Sequence, residues 1–385
     1  MPRFALALFV TVALTAAAQD TPDPNRFAFE LSRLLKPGEN LLCSPVSVTT
    51  VLAMAEAGAR GDTAAQLRKA LHLAENGHEK LGAMLRAASG KTRAANGYEL
   101  AIASRIWPQR GYALEAPFLA VLTDHYAAPP VELDYKAAPE EARSKVNAWV
   151  DEATRGKIKD LLPAGSVDSL TRLILTNAIY FKGDWETAFD AKETADGPFY
   201  APAGEVAVPL MTLKEDLAYA GAEDVQVVEL PFKGGEIGML LFVPTAKDGL
   251  AKLEASLTSE RATKLVGALA RTPVRLHLPR FKLESAVSLV DTLRALGITD
   301  AFDVNRADFS GISGNRELYA TGVFHKAFVD VTEEGAEAAA ATGMTLGIKS
   351  APPEPIAVRA DRPFLFAIRD RKSGAILFLG RLVKP

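Results

Sequence analysis

Very few side chains in this 385-residue sequence are spaced to run a reaction. Histidines stand at 72, 78, 125, 277 and 325, and none has the His-x-x-x-His spacing that sets two imidazoles on one helix face for a metal. Cys43 is the single cysteine, so no internal disulfide can form and a thiolate metal site lacks its ligands. Gly311-Ile-Ser-Gly314 falls one position short of the Gly-x-Ser-x-Gly nucleophile elbow. Ser89-Gly90-Lys91-Thr92 echoes a phosphate loop, but position 85 is Leu where the earlier glycine belongs. No catalytic residue, metal or cofactor is assigned, and the chain is expected not to be an enzyme.

The unusual chemistry lies in a segment that offers itself rather than acts. Between Val331 and Phe364 no packing pattern runs for about 30 residues, and connections of that length are functional or disordered. Glu333, Glu334 and Gly335 open it, and residues 336–342 are almost wholly small. Written as a strand, Ala336, Ala338, Ala340 and Thr342 share one face, while Glu337, Ala339 and Ala341 share the other. The first face is small and uncharged, so it fits a slot over a packed core. Alanine has little intrinsic preference for strands, so the rest of the fold must supply that slot.

The elements around this segment read as helices early and strands late, an α+β order. Helical spacing covers 27–35 and 46–59, and Thr63-Ala-Ala-Gln66 reads as a capping box. Ala142, Val146, Trp149, Val150 and Ala153 share a helix face, stopped by Gly156. The apolar run 173–181 predicts a strand buried on both faces, and 227–232 with 237–243 predict a hairpin around Gly234-Gly235. A short helix is expected at 289–296, and strands at 322–331, 364–368 and 376–380.

Lysine plus arginine total 44 against 47 acidic residues, a formal charge of −3, with 48% hydrophobic and 24% charged residues. That balance is globular and excludes a disordered chain. Without a basic block the chain is a poor partner for nucleic acid. Arg3, the apolar run 4–14 and Ala16-Ala17-Ala18 make residues 1–18 a secretory signal peptide by composition. The run is too short to span a membrane, so a secreted, extracellular or periplasmic protein with no membrane partner is expected.

Several ordered motifs carry a resemblance to one family. Asn40-Leu-Leu-Cys-Ser44-Pro45-Val-Ser47 with 58–63, Val146-Asn147-Ala-Trp149-Val150 with 154–158, and Leu175-Thr-Asn177-Ala178-Ile-Tyr180-Phe181-Lys182-Gly183-Asp-Trp185 stand in sequence. His325-Lys326 leads to the 333–342 stretch, and Asp361-Arg362-Pro363-Phe364 with Phe378-Leu-Gly380-Arg381 closes the chain. Together they resemble a serpin, a shape-changing serine protease inhibitor. The resemblance implies one domain over 19–385, three β-sheets with eight to nine helices, and an exposed reactive-centre loop at about 333–361. It also implies that a protease attacks the loop, and that the cut loop inserts into the large sheet before the acyl-enzyme hydrolyses.

By the same resemblance, residues 333–342 are the hinge: Glu333, Glu334, Gly335, Ala336, Glu337, Ala338, Ala339, Ala340, Ala341 and Thr342. Ala336 replaces the family's common Thr or Ser, and Asp330 stands where Glu is commoner. The family's spacing from Glu333 puts the reactive bond between Lys349 and Ser350, with Leu346 and Ile348 as alternatives. A lysine there matches the acidic primary pocket of trypsin-like proteases. Ser44, Ser47, Asn177 and His325 are expected in the shutter beneath the opening sheet, Trp185 near the loop's entry, and Arg280 paired with Glu333. The expected partner is a trypsin-like serine protease, met by a monomer. The rival reading is a non-inhibitory serpin acting as a binder or chaperone, or an inhibitor of another protease class.

Overall fold

The computed structural model describes residues 25–89, 97–335 and 354–385. The expected signal peptide, Ala336–Thr342 of the hinge and the Lys349–Ser350 bond lie outside them. Ten α-helices occur among the described residues: α1 Arg26–Leu34, α2 Pro45–Gly58, α3 Gly61–Ala70, α4 Gly77–Ser89, α5 Ala116–Tyr126, α6 Pro139–Ala153, α7 Leu250–Ser256, α8 Ser259–Gly267, α9 Val290–Ala295 and α10 Ser310–Ser313. The excess over eight or nine comes from short pieces such as α10, a single turn. The strands are β1 Leu41–Cys43, β2 Tyr98–Pro108, β3 Leu173–Gly183, β4 Ala195–Ala201, β5 Gly204–Gly221, β6 Val225–Pro231, β7 Ile237–Pro244, β8 Ala270–Pro279, β9 Phe281–Ser288, β10 Gly322–Val331, β11 Ile356–Arg359, β12 Phe364–Asp370 and β13 Ile376–Leu382.

Three sheets were expected, and the described strands form two continuous ladders. The physical reason is β5, eighteen residues long, which works as two strands in series. Its first part pairs with β4 and its last four residues pair with β6, while β8 follows it from Leu210 to Tyr219. It thereby joins what would otherwise be two sheets into the order β1-β13-β12-β7-β6-β5-β8-β11. The second sheet has the order β2-β3-β10-β9.

The four-stranded sheet, not the larger ladder, is the one that matters for the site; the loop was expected to enter a large sheet, and the nine-stranded ladder outgrows this one because β5 fuses two sheets within it. Every residue of β3 except Lys182 is buried, as its unbroken apolar run predicts. One face packs on α2 and the main core, and Val146 and Val150 of α6 close the other with Trp107, Ile174, Ala103 and Ala178. Helix α2 is not amphipathic because it threads the core, with buried residues on every side. Ser44 caps it, accepting from the Ser47 N–H, and Pro45 sits at the first turn where its missing N–H costs nothing.

The capping box read at Thr63 does not form. Helix α3 begins at Gly61, so Thr63 is already inside it. Its hydroxyl instead accepts from the Asp308 N–H, and Gln66 accepts from the N–H groups of Thr299 and Asp300. Tertiary partners took the side chains that local spacing had assigned to the helix end. The β6–β7 hairpin forms as read, with Gly234 and Gly235 both at positive φ.

Candidate functional site

Strands β3 and β10 run parallel and pair directly over seven positions, from Gly322 beside Ile174 to Phe328 beside Tyr180. Above Phe328 they part. The space between their upper ends is a cavity of about 550 Å³, lined in part by Tyr180, Phe181, Phe328, Asp330 and Thr332.

The chain leaving β10 turns back at the mouth of that gap. Thr332 and Gly335 form an antiparallel bridge, each N–H donating to the other's carbonyl at 3.1 and 3.3 Å. Gly335 bridges Asp184 on the β3 side as well. It therefore lies between the extensions of both strands, at φ +103°. A Cβ there would come within 2.3 Å of the Gly183 carbonyl oxygen, so only glycine fits. The Trp185 N–H donates to the Glu334 carbonyl and the Phe189 N–H to the Glu333 carbonyl, at 3.1 and 2.8 Å. Trp185 itself is buried, stacked on Phe232 at 4.4 Å, with its indole N–H donating to the Thr332 carbonyl at 2.9 Å.

Glu333 is only 6% exposed, and Arg280 pairs with it as expected. Arg280 Nε donates to both carboxylate oxygens at 2.7 Å, and Thr194 Oγ1 donates at 2.6 Å. Burial works to raise the Glu333 pKa, but these hydrogen bonds outweigh it and hold the carboxyl below its ordinary value. Thr194 was not found from the sequence, because nothing in its local pattern links it to a residue 139 positions away.

Half-way down the paired part of the seam, Ser44, Ser47, Asn177 and His325 come together. Asn177 and His325 are direct partners across β3 and β10. His325 Nδ1–H donates to Asn177 Oδ1 at 2.7 Å, and His325 Nε2 accepts from the Ser44 N–H at 2.9 Å. The Asn177 amide nitrogen donates to the Ser47 carbonyl at 2.7 Å, the Ser47 hydroxyl at 2.6 Å and the Ser104 hydroxyl at 2.9 Å. The cluster thus ties α2 to β2, β3 and β10. Ser104 was missed because the sequence reading placed no strand at 98–108. Burial holds His325 neutral, pushing its pKa down to about 3. Its Nε2 must stay unprotonated to accept from Ser44.

Trp185 and the shutter residues sit at different heights of one seam and do not touch. No cluster of His, Cys, Asp or Glu suited to a metal occurs among the described residues. No described helix is long and apolar enough to cross a membrane.

The arrangement has known counterparts. The profile of the family described as serpin, serine protease inhibitor, matches residues 23–385. The bovine (Bos taurus) leukocyte elastase inhibitor is 41% identical, covering 94% of this chain and 98% of its own length. An uncharacterised serpin-like protein of Thermococcus kodakarensis is 38% identical over 94% of this chain and 84% of its own. Among solved structures, the native thermophilic serpin tengpin superposes with a TM-score of 0.86 at 28% identity, covering 94% of both chains. Uncleaved ovalbumin gives 0.85 at 30% identity, covering 94% of this chain and 99% of its own.

Proposed function

The chain belongs to the serpin family, and from that premise we propose that it inhibits trypsin-like serine proteases as a suicide substrate, with Lys349–Ser350 as the bond attacked. The observation that carries this is the double bridge of Gly335. Continue the chain past it along β10, and Ala336 meets Val331, Ala338 meets Val329, Ala340 meets Ala327 and Thr342 meets His325. Continue it along β3, and Ala338 meets Phe181, Ala340 meets Ile179 and Thr342 meets Asn177. The two registers agree with each other, because His325 and Asn177 are already partners. In that continuation the small face of residues 336–342 would be the one turned toward Val331, Val329 and Ala327, which are buried.

Insertion replaces one parallel ladder by two antiparallel ones, which are slightly stronger per residue. Added hydrogen bonds net about 0.5–1.5 kcal/mol each, against about 1–2 kcal/mol per residue for ordering the backbone. Those terms roughly cancel. Burial decides the sign: in this register Met344 meets Val323 and Leu175, and Leu346 meets Leu173, each burial contributing about 1.5–3 kcal/mol. Thr342 then takes the place between Asn177 and His325, where its hydroxyl can serve both. Strands about 4.8 Å apart become about 9.6 Å apart, so the direct Asn177–His325 bond must break.

Residues 333–335 act as the turn, and Ser44, Ser47, Asn177 and His325 gate the opening below it. Cleavage and insertion require no metal or cofactor from the chain. Export rests on the composition of residues 1–18, and mature protein beginning at Gln19 is the outcome expected from N-terminal sequencing of secreted material. The test of function is incubation with trypsin. An SDS-stable complex, a released peptide starting at Ser350 and a large rise in Tm on loop cleavage are expected. A peptide with another first residue moves the bait, and cleavage without complex or stabilisation favours the non-inhibitory reading.

A further inference from the structure

The exposed face of β5, β8 and β11 carries an arrangement that folding alone does not favour. Lys214 of β5 lies directly opposite Arg275 of β8. Two positions along, His277 lies opposite Arg359 of β11. Alternation puts Lys214, Arg271, Arg275 and Arg359 on one solvent face, since Leu276 and Leu278 between them point into the core. Like charges opposed across a ladder are destabilising. Lys214 and Arg359 each have a carboxylate nearby, Glu193 at 3.4 Å and Asp361 at 2.9 Å. Among the described residues no ion pair joins Arg275, which stands between them. The local field is strong enough that, after burial, the cations at 359, 275 and 214 all push the His277 pKa down.

This strip is positive on a chain whose formal charge is −3. It is also continuous with β11, which receives the distal end of the reactive loop. Ile356, the first residue of β11, is seven positions beyond Lys349, so that end of the strand lies within about 25 Å of the bond and Arg275, opposite Ala357, is one residue further on. A standard interface of about 800 Å² per partner, roughly 30 Å across, reaches both.

We propose that the Lys214–Arg275–Arg359 strip is an exosite that recruits target proteases carrying an acidic surface beside their active site. This rests on reading the chain as a protease trap. A protein partner suits the strip better than a polyanion. Its cations are few, and Asp216 shares their face with Glu193 and Asp361 at the margins. A continuous run of phosphate or sulfate would meet those carboxylates, whereas a folded surface can interleave charges of both signs.

The experiment compares trypsin with lysine-succinylated trypsin, which keeps the primary pocket and gains a negative surface. The succinylated enzyme is expected to be inactivated about tenfold faster at low ionic strength, with the preference falling below twofold in 0.5 M NaCl. Arg275→Glu should abolish the preference while the stoichiometry stays unchanged. Its Tm should not fall, because the variant faces Lys214 with the opposite charge. An unchanged preference in Arg275→Glu overturns the exosite and leaves inhibition standing. So does acceleration by heparin that the variant loses, which would assign the strip to a polyanion. If neither form of trypsin is trapped, the lysine bait falls, and the same comparison is read on chymotrypsin or elastase, whichever is trapped. If none is trapped, inhibition and exosite fall together.

Discussion

The two ends of the β3–β10 seam differ in how they are closed. The lower part is sealed by a ladder and by a buried cluster in which the Asn177 and His325 side chains find partners on four elements. The upper part is parted around a cavity and bounded by a turn, one buried indole and one ion pair near the surface. The same two strands thus offer an open end with a pre-formed turn and a closed end with a latch. A segment entering between them starts where no ladder has to be broken. In the proposed insertion its main resistance would come at the Asn177–His325 pair, where the hydroxyl of Thr342 would be the replacement partner.

The sharpest way to break this comparison is to make the incoming face incompatible with the upper gap. In the register proposed from the Gly335 bridges, Ala338 would fall between Val329 and Phe181, both buried. An aspartate there costs several kcal/mol on insertion. Ala338→Asp, like Ala336→Arg, should convert the inhibitor into a substrate, raising the stoichiometry with trypsin more than tenfold and removing the SDS-stable band. A covalent complex at unchanged stoichiometry would mean that the segment does not enter here.

The next largest effect is expected at the latch. Asn177→Ala strips partners from His325 Nδ1–H, Ser47 and Ser104 at once, in a fully buried place. A loss of about 3 kcal/mol in native stability follows from leaving buried polar groups unpaired. If insertion follows the proposed register, the loss should shrink in loop-cleaved protein, where Thr342 would stand beside His325. Denaturant titration of both forms measures it, and equal losses would argue against Thr342 occupying that place.

Much of this seam was legible in the residues, and the omissions have physical causes. The 173–181 run announced a strand buried on both faces, and α2 on one side and α6 on the other meet that demand. The alternation of 336–342 announced a face without saying what it would meet. That needed the local Thr332–Gly335 bridge together with the Asp184–Gly335 bridge, which joins residues about 150 positions apart. Strand β2 escaped notice because its alanines at 101 and 103 have weak strand preference; pairing along β3 imposes the conformation. Thr63 and Gln66 misled for the opposite reason, a strong local pattern overridden by partners from 299–308. The long β5 hid the junction of two sheets, since sequence shows a strand's length but not its change of neighbour.

The latch also titrates, and the sign can be worked out. His325 is neutral in the folded chain with its pKa pushed down to about 3, against about 6.5 unfolded. The unfolded chain therefore binds the extra proton first as pH falls. The contribution is fully present above about pH 6.5 and is lost at about 1.4 kcal/mol per pH unit toward pH 3. Between pH 7 and pH 5 His325 alone should remove about 2 kcal/mol of stability. His325→Gln should flatten that slope, read as the change in urea midpoint between the two pH values. An unaltered slope would place the titration elsewhere.

The upper end should prove the more forgiving of the two. Arg280 is nearly half exposed while its partner Glu333 is buried, so water screens one side of the pair. A charge-assisted hydrogen bond contributes about 1.5–3 kcal/mol, and exposure of the guanidinium moves the expected loss in Arg280→Ala to about 1 kcal/mol. Thr194 still donates to Glu333 in that variant. The turn at 333–335 loosens without losing its backbone bridges, so complex formation with trypsin should persist with at most a threefold change in stoichiometry. The Glu333 carboxyl, held below its ordinary pKa by Arg280 and Thr194, contributes stability above about pH 4.5 that is lost as pH falls. Arg280→Ala should diminish that acid-side loss and leave the pH 5–7 slope of His325 intact. If Arg280→Ala lowered stability as much as Asn177→Ala, the open end would be as firmly held as the closed one, and entry could not be assigned to it.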